Sequence, residues 1–71
     1  MPLCPTCVAI LREMCRAGGR DQPQLCEIEA RYVATGDDSL VAQAAALNPG
    51  LAWQAVRKVR ADIPPSAHRN A

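Results

Sequence analysis

The sequence predicts an all-α fold, a compact bundle of about four short helices. Apolar side chains recur at the three- and four-residue spacing of a helix, and no stretch alternates with the two-residue period of a strand. Turn-forming residues, chiefly glycine, proline, asparagine and aspartate, divide the chain into short segments. Because 71 residues suffice for one core only, we expect one helical domain over residues 1–63 and a flexible tail over residues 64–71.

The first predicted helix runs from Pro5 to Ala17 and stops at Gly18-Gly19, where glycine tolerates the left-handed conformation that closes helices. Its charged residues lie opposite a broad apolar arc, so the helix is amphipathic. The arc consists of Cys7, Val8, Ile10, Leu11, Met14 and Cys15.

The second predicted helix begins near Asp21, whose carboxylate can cap the free amides of a helix start. Pro23 suits the first turn, and Gln24 stands where a capping box places its side-chain amide. The helix is expected to end at Gly36. Because its apolar face complements that of the first helix across a short break, the two are predicted to form an antiparallel hairpin.

The third predicted helix starts at the N-cap cluster of residues 37–39 and ends near Leu47. Asn48 is the expected cap of the fourth helix, and Pro49 occupies its first turn. A Pro-Pro pair ends this helix near Asp62.

Small and apolar residues over the third and fourth helices fall where the two helices of a helix-turn-helix pack together. The stretch Val41-Ala42-x-x-Ala45-Ala46-Leu47-Asn48 resembles the Val-Ala-x-x-Ala-Gly-Val-Ser pattern of repressor helix-turn-helix units. The resemblance implies a helix-turn-helix-like arrangement of these helices and a nucleic-acid partner. It has two departures: Ala46 replaces the turn glycine, and Trp53 occupies an outward position that is usually small or polar.

Composition and charge exclude several classes of protein. A net charge of +1 excludes a strongly basic nucleic-acid-binding tail and an acidic disordered one. No apolar run approaches the ~20 residues that cross a bilayer, and the N-terminus lacks a secretory signal, so we expect a cytoplasmic protein without membrane contact. With no Phe, one Trp and one Tyr, the core is small. Such a core rarely supplies more than ~3–5 kcal/mol, so a metal, disulfides or a partner chain would help.

Four cysteines, Cys4, Cys7, Cys15 and Cys26, have the spacing C-x2-C-x7-C-x10-C. A CxxC pair can bring two thiolates to one metal ion or form a redox disulfide. All four are therefore candidate ligands of zinc or of an iron–sulfur cluster. A continuous helix from Cys7 to Cys15 separates these residues by ~12 Å, whereas sulfurs on one zinc ion lie within ~4 Å of each other. A single four-cysteine site thus requires a broken first helix.

Cys15 and Cys26 are level across the predicted hairpin, so we expect them to lie closer to each other than to Cys4. They could form a disulfide, part of a metal site or two packed thiols, and a reducing cytosol disfavours the disulfide. Cys4 and Cys7 stand at a helix start, which favours the thiolate and a metal or redox role. A thiol–disulfide function of this pair lacks the βαβ context of thioredoxin-like proteins.

No nucleophile and base are arranged as a hydrolase requires, so we do not expect an enzyme. The only histidine, His68, lies in the tail. Glu29 lies within the apolar arc of the second helix and is predicted to pair with Arg12 rather than to act as a ligand or an acid/base group.

The outward side of the fourth helix carries Trp53, Arg57 and Arg60 at i, i+4 and i+7, with Lys58 at its flank. A tryptophan beside arginines is typical of surfaces that bind a protein or a phosphate backbone. The alternative is that Trp53 closes one edge of the core.

The sequence therefore favours a small non-catalytic binding module. It would contact a larger protein assembly, a second copy of itself or nucleic acid through the fourth helix. The net charge of +1 gives little long-range attraction to phosphate and leaves that choice open. The alternative function is a metal-binding or iron–sulfur protein that acts in assembly, electron transfer or sensing.

Overall fold

The computed structural model describes residues 3–62, and it confirms the predicted all-α fold. Its four helices are α1 (Pro5–Gly18), α2 (Gln24–Thr35), α3 (Asp38–Leu47) and α4 (Pro49–Asp62). The described part of the chain contains no strand, and none of its helices has the length and apolar character needed to cross a membrane. The predicted tail, residues 64–71, lies outside the described residues.

The helices pack as a bundle in which α1 and α3 each contact both α2 and α4. The largest fully buried side chains are those of Tyr32, Leu11, Met14 and Leu25. Smaller buried residues complete the core: Ile28, Leu40, Ala44, Ala52 and Ala55. The antiparallel hairpin of α1 and α2 and the helix-turn-helix-like arrangement of α3 and α4 stay predictions.

Local caps explain where α2 ends and where α3 and α4 begin, as the sequence predicts. Gly36 ends α2 in the left-handed conformation, with φ of 72°, which glycine adopts without steric cost. The Asp37 carboxylate accepts hydrogen bonds from the Ser39 amide at 3.0 Å and from the Ser39 hydroxyl at 2.8 Å. At the start of α4, Asn48 Oδ1 accepts from the Leu51 amide at 3.1 Å. Each cap satisfies an amide or carbonyl that a helix end leaves without a partner.

The predicted capping of α2 by Asp21 and Gln24 is wrong. The N-cap of α2 is Pro23, and no side chain caps the helix start. Gln22 instead connects the α1–α2 turn to the α3–α4 turn: its side chain donates to Leu47 O at 3.2 Å and accepts from Asn48 Nδ2 at 2.8 Å. Leu47, one partner of Gln22, lies 25 positions away along the chain, so no local pattern indicates this contact. The local capping prediction for α2 therefore failed.

Candidate functional site

The four cysteines form two separate pairs. Cys15 and Cys26 are joined by a disulfide with a Cα–Cα distance of 4.7 Å, whereas Cys4 and Cys7 are free thiols. The prediction that Cys15 and Cys26 lie closer to each other than to Cys4 is confirmed. The expectation that a disulfide is disfavoured there is wrong, because the α1–α2 turn brings the two residues within bonding distance.

Gly19 makes the close approach at this disulfide possible. It caps α1 by donating its amide to Cys15 O at 2.9 Å, and its φ of −66° is right-handed, not left-handed as the sequence predicts for this turn. A Cβ at position 19 would overlap both the Cys15 carbonyl oxygen and Cys26 Sγ. Glycine is therefore required here for space and not for backbone conformation.

Gly19→Ala is expected to lower the free energy of unfolding by about 1–3 kcal/mol, because the added methyl group forces the backbone of Cys15 or the disulfide to shift. Gly50→Ala is the matched control, since the nearest atom to a Cβ there is Asn48 Oδ1 at 3.9 Å. Alanine at position 50 should leave stability unchanged or raise it by up to ~1 kcal/mol. Urea denaturation measures both changes, and equal effects would contradict the close packing at Gly19.

Cys4 is the N-cap of α1 and contacts Cys7 directly. The Cys7 amide donates to Cys4 Sγ at 3.4 Å, and the Val8 amide donates to Cys4 O at 3.0 Å. Both sulfur-bearing residues are half-buried, so solvent reaches each of them. The structure thus brings this predicted pair together at the positive end of a helix, where a thiolate is stabilised.

The two thiols of this pair have opposite pKa shifts. Burial raises the pKa of the Cys4 thiol, but hydrogen bonds from the amide and thiol of Cys7 and from the Thr6 amide outweigh burial, so that this pKa lies below its ordinary value. Burial, the hydrogen bond to Cys4 and the charge of Cys4 raise the pKa of Cys7 to about 11. Cys4 is therefore the thiol that ionises first.

Tyr32 underlies the Cys4–Cys7 pair from α2. Its side chain is 1% exposed, and it interacts with the backbone of Cys4 and with the Cys7 side chain. Burial is the main cause that raises the pKa of Tyr32, so the phenol stays protonated beside the thiols. No local pattern in the sequence indicates this contact between Tyr32 and the thiol pair.

The predicted metal ligands, Cys4, Cys7, Cys15 and Cys26, do not converge on one point. Within residues 3–62 no three histidine, cysteine or acidic side chains are grouped so that they could hold a metal ion. Two of the four sulfurs are bonded to each other. Zinc or an iron–sulfur cluster on these cysteines stays a prediction for which the described residues offer no site of three or more ligands.

The outer side of α4 places Trp53 in solvent. The side chain is 64% exposed and does not belong to the core, so the alternative in which Trp53 closes an edge of the core does not hold. Arg57 and Arg60 are exposed too, and neither forms an ion pair within residues 3–62. All three side chains are therefore exposed to solvent on this side of α4.

Lys58, the fourth predicted contact residue, is bound within the chain. Its Nζ lies 3.4 Å from Glu13 Oε2, and Arg16 Nη2 lies 2.6 Å from the same oxygen. The hydrogen bond from Arg16 is the main cause that holds the pKa of Glu13 below its ordinary value. The predicted pair of Arg12 with Glu29 is confirmed, with 3.3 Å between Arg12 Nε and Glu29 Oε2. The Lys58 contact with α1 escaped prediction because 45 residues separate the partners.

Comparison of the chain with protein-family models, curated proteins and solved structures finds no match.

Proposed function

We propose that the chain is a small binding module that contacts a protein partner through the outer side of α4. The contact surface, called here the α4 face, consists of Trp53, Arg57 and Arg60. The observation that supports the proposal is the 64% exposure of Trp53, the single tryptophan of a chain that has no phenylalanine. Such a chain leaves its largest apolar side chain outside a small core, where it can serve as an anchor for a partner.

The spacing and charge of the α4 face define the chemistry of its partner. Arg57 and Arg60 follow Trp53 by about one and two helical turns, so all three side chains lie on one side of α4. A guanidinium group binds a carboxylate through two parallel hydrogen bonds. A complementary surface therefore presents carboxylates around an apolar pocket that accepts the indole.

The charges disfavour the two other partners that the sequence left open. Affinity for a phosphate backbone grows with the number of cations that contact it, and here the net charge is +1 and Lys58 is bound to Glu13. In a two-fold dimer through the α4 face, Arg57 and Arg60 of the two copies would meet, and like charges oppose such an interface. An acidic surface on a different protein avoids both the weak attraction to phosphate and the repulsion between arginines.

Trp53→Ala is expected to weaken partner binding about 30-fold or more, because truncation of an interface anchor costs at least ~2 kcal/mol. The same change should lower the free energy of unfolding by only ~0.5 kcal/mol, because the side chain is mostly exposed. Arg57→Ala and Arg60→Ala should leave stability nearly unchanged for the same reason. The tagged chain captures partners from a native extract, calorimetry measures the affinity of each variant for them, and urea denaturation measures stability.

Val33→Ala is the matched control, since Val33 is 44% exposed but lies on α2. A partner that binds wild type and Trp53→Ala equally would contradict the α4 face. Steeply salt-dependent binding to duplex DNA would assign the surface to nucleic acid, and a doubled mass in sedimentation that Trp53→Ala abolishes would assign it to a second copy.

A cytoplasmic location is part of this proposal, and the Cys15–Cys26 disulfide opposes it, because structural disulfides are rare in reducing compartments. Alkylation of thiols in the cells that make the protein, before lysis, tests the location. Four free thiols per chain would indicate a reducing compartment, and a retained Cys15–Cys26 disulfide would indicate an oxidising one.

A further inference from the structure

The Cys4–Cys7 pair has no role in the proposed function, although its two thiols are free. Both cysteines are free and reached by solvent, and they stand three residues apart at the start of α1. Side chains at this spacing meet on one side of a helix. The Cys7 amide donates to the Cys4 sulfur at 3.4 Å, so the two residues are already in contact.

We propose that Cys4 and Cys7 form a dithiol site that reduces an exposed disulfide of a second molecule, with Cys4 as the attacking sulfur and Cys7 as the resolving one. The hydrogen bond from the Cys7 amide to Cys4 Sγ and the N-cap position of Cys4 carry the assignment. The absence of a βαβ unit in the described chain does not oppose it, because the exchange needs only a thiolate at a helix start and a second thiol within reach.

The electrostatics of the pair assign a different role in the reaction to each cysteine. The Cys7 amide, in the first turn of α1, donates to Cys4 Sγ and stabilises its thiolate, which is the nucleophilic form. The pKa of Cys7 near 11 keeps this thiol protonated at neutral pH, so it does not compete with Cys4 for the first attack. The difference between the two thiols fixes the order of the steps.

The reaction proceeds in two exchanges. The Cys4 thiolate attacks one sulfur of the substrate disulfide; the substrate S–S bond breaks, a Cys4–substrate bond forms, and the leaving thiolate takes a proton. Cys7 then loses its proton and attacks Cys4 Sγ, which forms the Cys4–Cys7 bond and releases the second substrate thiol. The substrate gains two electrons and two protons, and the dithiol loses them. Each chain reduces one disulfide. A low-molecular-weight thiol must then reduce the Cys4–Cys7 bond before the chain can react again.

The full chain treated with 5,5′-dithiobis(2-nitrobenzoic acid), an aromatic disulfide, tests the proposal. Trypsin then cleaves after Arg12, Arg16, Arg20 and Arg31, which places Cys4 and Cys7 on one peptide and Cys15 and Cys26 on two others. Wild type should release two aromatic thiols per chain, and its first peptide should carry an internal disulfide and no adduct. Cys7→Ser should release one aromatic thiol and keep one stable adduct on Cys4.

Cys4→Ser should react several-fold more slowly than wild type at pH 7. Burial, the first cause of the raised pKa of Cys7, remains in this variant, whereas the pKa of Cys4 in wild type lies below its ordinary value, so less thiolate is present at Cys7 than at Cys4. Serine is itself a good N-cap, so this variant keeps the start of α1, which circular dichroism verifies. The reactivity of wild type should persist as the pH falls below the ordinary thiol pKa.

Two substrates distinguish the sources of the disulfide. Glutathione disulfide represents a small substrate and insulin a protein substrate. The faster reaction shows which class of disulfide the site prefers. Equal rates for Cys4→Ser and wild type, two adducts retained on the wild-type peptide, or reaction with neither substrate would each overturn the proposal.

Discussion

Replacement of both Cys15 and Cys26 by alanine is expected to lower the free energy of unfolding by about 3 kcal/mol. The disulfide joins residues 11 positions apart, and a cross-link that closes a loop of this size removes about 3 kcal/mol of entropy from the unfolded chain. A domain with so small a core rarely has more than ~3–5 kcal/mol of stability in total. The double variant should therefore be largely unfolded at 37 °C, as urea denaturation followed by circular dichroism will show.

The matched control is the double variant Cys4→Ser and Cys7→Ser, which removes two cysteines but no cross-link. Its urea midpoint should stay near that of wild type, because serine keeps a capping side chain at the start of α1. If the alanine double variant unfolded at the wild-type midpoint, the disulfide would not contribute to stability in solution.

Leu11→Ala is expected to lower the free energy of unfolding by about 2–5 kcal/mol, because it removes a fully buried side chain and leaves a cavity. Leu11 is 0% exposed and belongs to the core between the helices. Leu47→Ala is the matched control, since this leucine is 40% exposed, and it should cost less than ~1 kcal/mol. A similar loss of helical signal in both variants would contradict the placement of Leu11 in the core.

The elements that the sequence predicted correctly depend on neighbours a few residues away. Asp37 and Asn48 cap the helices that follow them, and Gly36 ends α2 through its own backbone freedom. Helical spacing likewise placed Trp53 outside and Leu11 inside. Such features need no knowledge of the rest of the fold, because a cap or an apolar arc is complete within one or two turns.

The features that prediction missed depend on contacts distant in sequence. Lys58 was assigned to the contact surface, but Glu13 on α1 binds it. Asp21 has the chemistry of a cap, yet Pro23 takes that position and no side chain caps α2. The pairing of Cys15 with Cys26 was predicted from helix spacing. Their disulfide was not predicted, because a cytoplasmic location, assumed for the protein, disfavours structural disulfides.

The two hydrogen bonds of Gln22 have a consequence for the lifetime of the folded chain. They join Gln22 to Leu47 and Asn48, which lie 25 and 26 positions away. We expect these two contacts to form late in folding, because closing so long a loop costs more entropy than forming the nearer contacts. An interaction absent from the folding transition state slows unfolding and leaves the folding rate almost unchanged. Gln22 is therefore expected to prolong the lifetime of the native state without hastening its formation.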